Sequence, residues 1–107
     1  MEIVFHNHAP ISDNMRRRAE AALRKVARRA QRAVDGVIRF ERDGPMRRVE
    51  LALHTGNGRR YVARSEDRYF GNALADAARR LTMQVDHTKR TPKTRVRRLA
   101  PPRTGGA

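Results

Sequence analysis

Apolar residues recur at three- and four-residue spacing in two stretches of this chain, and at two-residue spacing between them. The first spacing marks helices with one buried face; the second marks half-buried strands. A chain that switches period in this way has to lay helix stripes against a sheet face. Over residues 13–32 the stripe is Met15, Ala19, Ala22, Leu23, Val26 and Ala30, within roughly 100° of a helical wheel. Pro10 excludes helix before it, Ser12 or Asp13 is the N-cap, and Asp35-Gly36 is the stop. A second helix begins near residues 65–67. Its stripe is Phe70, Leu74, Ala77, Leu81 and Val85, and it is expected to fade before Pro92.

The strands read as residues 2–6, 37–42, 47–54 and 59–65. Asp43-Gly44-Pro45 and Asn57-Gly58 supply the turns, the latter calling for positive φ. The order β-α-β-β-β-α predicts an α+β fold: a two-layer domain with a four-stranded sheet and both helices packed on one face. The first two strands, joined through a helix, are expected to be parallel with a right-handed crossover. Residues 1–91 form this domain. Residues 92–107, with three prolines, two glycines and little apolar content, read as a basic Pro/Gly-rich disordered tail.

Charge is the second constraint. The 107 residues carry a net charge of +14. Such an excess destabilises a compact state unless a polyanion neutralises it. It sits in two blocks. Residues 13–32 hold eight basic residues against Asp13 and Glu20, and residues 79–103 hold nine against Asp86; everything else balances. Solvated helix faces interleave Glu with Lys to gain pair energy. The first helix instead has one Glu in its middle and seven Arg to one Lys. Arg makes planar, bidentate phosphate contacts that Lys cannot, so the pattern favours a nucleic-acid partner. A membrane surface would want bulky apolar residues opposite the arginines, and this helix offers mainly Ala.

Catalytic chemistry finds no foothold. There is no cysteine, hence no disulfide and no thiolate zinc site. His6 and His8 lie at a strand end with no acidic cluster nearby in sequence, and His54 and His87 lack ligand spacing. "TGNGRR" lacks the Lys-Ser/Thr of a phosphate loop and precedes a strand. Tyr61 and Tyr69 could stack on bases but sit where core or rim residues belong. The expectation is no enzyme, no metal and no cofactor. With no signal-peptide pattern and no apolar run of membrane-spanning length, the chain reads as soluble and cytoplasmic.

"HAPISDNMRRRAEAALRKV" has a small polar turn, an Ile-Ser-Asp cap, the apolar-Arg pair Met15-Arg16, and then Leu23, Lys25, Val26 and Arg28. "SEDRYFGNALADAARRLTMQV" has an Asp67-x-Tyr69 opening and an Arg80-Leu81-x-x-Gln84-Val85 continuation. In these features, over residues 1–90, the sequence resembles the ribosome hibernation-promoting factor family, which includes the ribosome-associated inhibitors. It departs from the family in a longer spacing from Tyr69 to Leu81, in lacking aromatics near Arg18 and Ala30, and in having Arg where acidic residues are usual in the first helix.

The resemblance implies a translation inhibitor of the stress response. It would bind the small ribosomal subunit and its ribosomal RNA in the groove for mRNA and the A- and P-site tRNAs, blocking translation in idle ribosomes. It implies a short form, a monomer when free, that cooperates with a separate ribosome-dimerisation factor or acts on single ribosomes. The expected RNA contacts are Arg17, Arg24, Lys25, Arg28, Arg29 and Arg32 on the first helix and Arg79, Arg80, Lys89, Arg90 and Lys93 on the second. Of these, Lys25, Arg28, Arg80 and Lys89 match basic family positions. The alternative is a stand-alone basic RNA- or DNA-binding module without ribosome specificity.

Overall fold

A computed structural model describes the backbone of residues 1–99 and the side chains of residues 1–88. The chain forms β1 (Glu2–Asn7), α1 (Asp13–Ala27), β2 (Ala33–Asp43), β3 (Met46–Thr55), β4 (Arg60–Asp67) and α2 (Phe70–Leu99). The sheet order is β1-β2-β3-β4. β1 and β2 are parallel and the remaining pairs antiparallel. Both helices pack on one face, so the expected α+β architecture is the one found.

Alternation places Ile38 and Phe40 of β2, Val49, Leu51 and Leu53 of β3 and Ala63 of β4 under the helices. Ala19, Leu23 and Val26 of α1 and Ala73, Leu74, Ala77, Leu81 and Val85 of α2 close the core from above. Phe40 and Phe70 meet edge to face at 5.3 Å. This geometry suits the opposed signs of ring face and ring edge. The helices run side by side in the same direction. Gly71, early in α2, lies against Arg18, and Asp86, further along, bonds Arg29 beyond the end of α1.

Ser12 caps α1: its hydroxyl accepts from Met15 N–H at 3.1 Å. The helix ends at Ala27, five residues before the expected end. Arg29 N–H and Ala30 N–H donate to the carbonyls of Val26 and Ala27, three residues back, which tightens the last turn. Arg32 then takes φ 55° and leaves the helix. β2 accordingly starts at Ala33, not at Val37. Gly36 does not stop a helix; it lies buried within β2 beneath Leu23. A Cβ there would stand 2.7 Å from Leu23 Cδ2 and 3.2 Å from the Ala52 carbonyl oxygen. The glycine is what lets α1 approach the sheet.

α2 starts at Phe70, later than expected, because β4 stays paired with β3 as far as Asp67. The Asp67 carboxylate accepts from Tyr69 N–H and from the Asn72 amide, which turns the chain from strand into helix. The helix does not end before Pro92 but continues to Leu99. A proline removes one intrahelical hydrogen bond, and the Lys and Arg residues beyond it favour helix. The rest of the expected tail, residues 100–107, lies outside the described residues. Gly44 and Gly58 take φ of 60° and 86° in the two hairpin turns, as the turn sequences require.

Candidate nucleic-acid interface

The two faces of the molecule differ in charge. On the face away from the helices, cross-strand register aligns residues in rows. One row is apolar: Val4, Val37, Ala52 and Val62. The rows beside it mix acidic and basic residues. Arg48 sits between Glu41 and Glu66 and also reaches Asp43, at 3.3, 2.5 and 3.3 Å. Glu66 above all, then Glu41 and Asp43, raises the Arg48 pKa further. Arg39 pairs with Glu50 at 3.5 Å. Asp35 bonds His54 Nδ1 at 2.5 Å, and Arg60 donates to His54 Nε2 at 3.1 Å. Arg39 and Arg48 of this face are therefore met by neighbouring carboxylates, and Arg60 is bonded to His54.

The helix layer is different. Arg17, Lys25 and Arg28 are exposed, and among the described residues they form no ion pair. Arg28 stands at the C-cap of α1. Arg18 and Lys25 flank a groove of about 380 Å³ between α1 and α2, floored by Ala22, Leu74 and Ala75. Arg16 folds back over the Phe5 ring, 4.4 Å from its centre, a cation–π contact.

Other expected contacts are engaged within the protein. Arg24 pairs with Glu20 at 3.0 Å and donates to the Met1 carbonyl at 3.2 Å. Arg29 grips Asp86 with two hydrogen bonds, at 3.0 and 2.6 Å. Those bonds and the carboxylate's charge raise the Arg29 pKa. Arg79 and Arg80 share Asp76, at 2.7 and 3.0 Å. Asp76 also accepts from the Ser65 hydroxyl at 2.6 Å. That hydrogen bond first, then Arg79 and Arg80, holds the Asp76 carboxyl below its usual range. Arg80 and Gln84 also donate to the carbonyls of Arg64 and Val62. The second helix thereby covers the exposed edge of β4.

The structure thus brings Arg17, Lys25 and Arg28 together as exposed cations on α1. Arg24, Arg29, Arg79 and Arg80 lie on the same layer with carboxylate partners. Arg32 stands off the helix, its side chain against Gly56. Lys89, Arg90 and Lys93 fall in α2, but their side chains lie outside the described residues. Arg18 was missing from the expected contact set. Its place on the cationic side of the helical wheel was the signal that could have included it. Among the described residues no group of three or more His, Asp or Glu could hold a metal ion, and no helix is long and apolar enough to cross a membrane.

A mixed four-stranded sheet with two same-direction helices on one face, and cations on the helix side that form no ion pair among the described residues, defines a two-layer α+β protein with one cationic layer. Two solved structures share this fold. A ribosomal subunit interface protein from Coxiella burnetii superposes with a TM-score of 0.73 at 18% identity, over 83% of this chain and 98% of that one. The N-terminal domain of Protein Y from Thermus thermophilus superposes with a TM-score of 0.67 at 22% identity, over 81% and 94%. This is the fold that the sequence resemblance implied. No protein-family model and no curated protein sequence matches the chain.

Proposed function

We propose that this protein is a cytoplasmic ribosome-associated translation inhibitor, a hibernation factor that binds ribosomal RNA of the small subunit through its helix layer. The observation that carries the reading is the division of charge: Arg17, Lys25 and Arg28 of the helix layer, which form no ion pair among the described residues, against a sheet face on which Arg39 and Arg48 are matched by carboxylates. Folded RNA is recognised largely through shape, phosphate and 2′-OH contacts, which a rigid cationic layer supplies without a base-reading motif. The likeness in fold to a ribosomal subunit interface protein supports the ribosome as partner. Occupying the mRNA and A/P-site tRNA groove would block translation by exclusion, with no bond made or broken.

Sedimentation of tagged protein in cell lysate through a sucrose gradient tests this. The protein should travel with the small subunit or the whole ribosome, and adding it to a translation extract should reduce synthesis while leaving ribosomal RNA intact. Binding to free RNA and DNA with no enrichment on ribosomal particles would favour the stand-alone nucleic-acid module instead.

A further inference from the structure

At one end of the molecule three segments approach without closing: the turn after α1, the β3–β4 hairpin and the middle of α2. The space between them is a pocket of about 370 Å³, within the roughly 300–1,000 Å³ typical of small-ligand sites. Its walls carry the amides of Gln31 and Asn57, the hydroxyls of Thr55 and Thr88, the Arg59 guanidinium and the Tyr61 ring. Ala30 and Val85 give it an apolar floor.

The walls are held in place by the protein itself. Gly56 N–H donates to the Arg32 carbonyl at 2.7 Å, tying the α1 turn to the hairpin. Thr55 N–H donates to the Arg59 carbonyl at 3.0 Å. The Asn57 side-chain oxygen accepts from the Thr55 hydroxyl and from Arg59 N–H. That commits the oxygen to the turn and leaves the amide NH₂ as a donor. Gln31 is exposed and Tyr61 is half-buried at the end of the inner row that contains Gly36 and Leu53.

The chemistry narrows the ligand. Arg59 lines the pocket, the Arg32 side chain lies against Gly56, between the lining residues Thr55 and Asn57, and the Asp86 carboxylate next to Val85 is held by Arg29, so a cation is disfavoured. A purely apolar ligand would leave the Gln31 amide and the Asn57 NH₂ without partners. A bare anion would use Arg59 and the amide NH₂ donors but neither the Gln31 amide oxygen nor the aromatic face. A nucleotide uses all of them: amide side chains pair with base edges, a tyrosine stacks on the base, and arginines take the phosphate. We infer that this pocket binds a single nucleotide, with its base between Tyr61 and the Gln31 and Asn57 amides and its phosphate at Arg59 and Arg32. Two sources share that chemistry: a free mononucleotide, or one unstacked nucleotide of bound RNA. Only the second rests on the ribosomal reading above.

The test uses the full ¹⁵N-labelled chain and nuclear magnetic resonance. The four ribonucleoside monophosphates are titrated into the millimolar range, with inorganic phosphate as control. A free-nucleotide site gives saturable shifts at the Gln31 and Asn57 amides and at Gly56 and Gly58, different for different bases and absent with phosphate. Gln31→Ala, which removes a reader, and Ala30→Leu, which fills the floor, should each reduce those shifts at least fivefold, while unchanged β1 and β2 signals confirm folding. In the second arm, isolated small subunits and short single-stranded RNA are cross-linked to the protein by ultraviolet light. A Tyr61-to-RNA cross-link that Ala30→Leu abolishes, without a mononucleotide response, assigns the site to a base of bound RNA. Shifts equal for phosphate and nucleotides, or neither a base-dependent shift nor a Tyr61 cross-link, overturns the inference. The mononucleotide arm contains no ribosomes, so a protein that takes nucleotides but ignores ribosomes sinks the ribosomal reading and not this one.

Discussion

Gly36 and Asp76 each hold a helix to the sheet, by opposite means. At Gly36 the contact depends on an atom that is missing. A methyl group there meets fully buried Leu23 and the backbone of β3, and overpacking of this kind costs about 1–3 kcal/mol. Gly36→Ala should lower the urea midpoint accordingly without changing the fold. At Asp76 the contact depends on charge. Its carboxylate joins Ser65 of β4 to Arg79 and Arg80 of α2, and its folded pKa is lowered, by the Ser65 hydrogen bond most of all. A lowered carboxylate pKa means that the unfolded chain binds the proton more readily. The stabilisation is therefore complete above the ordinary carboxylate pKa and is lost as pH falls through the lowered folded value. Asp76→Asn should be less stable than the parent near neutrality and should converge with it in acid. A stability difference that stays constant across that range would show that the ionised form is not what matters.

Within the elements, α1 separates cations that hold the fold from cations left for a partner. Arg29 bridges the turn after α1 to Asp86 of α2, whereas Lys25 forms no ion pair among the described residues. Arg29→Gln should lower the thermal midpoint measured by circular dichroism, and the loss should shrink as salt screens the pair. Lys25→Gln should leave the midpoint level or raise it, since it removes a like charge from a crowded helix. This division was not legible in the sequence. Asp86 lies 57 residues from Arg29, and only the parallel packing of the helices brings the two together. The strand alternation, both apolar stripes and the order of elements were legible, because burial on one face imposes its period on the residues. The end of α1 was not. Gly36 looks like a helix stop because glycine serves both helix ends and close packing, and only the position of Leu23 decides between them. The stretch from Arg28 to Arg32 likewise continues the helical pattern in sequence, while Arg32 in space has already turned left-handed.

Across the whole molecule, the helix layer and the open sheet face make opposite demands on a polyanion. An RNA lying on α1 meets Arg17, Lys25 and Arg28, whose charges are not already answered within the described fold. An RNA lying on the sheet would have to displace carboxylates from Arg39 and Arg48 and would meet Glu50 and Glu66 at close range. Phosphate contacts release condensed counterions, so each lost contact lowers both the affinity and its dependence on salt. Replacing Arg17, Lys25 and Arg28 together by Gln should therefore weaken binding to isolated small subunits and flatten the plot of log affinity against log salt. Gln is close to Arg and Lys in helix propensity, so α1 should persist. Replacing Arg39, Arg60 and Arg64 by Gln removes the same charge from the open face. That set should leave the slope near the parent's, because an RNA bound on the helix layer does not reach the open sheet face. Thermal melts of both variants separate lost contacts from lost folding. If the sheet set flattens the slope as much as the helix set, with both proteins folded, the RNA lies on the open face and the helix layer is not the binding surface.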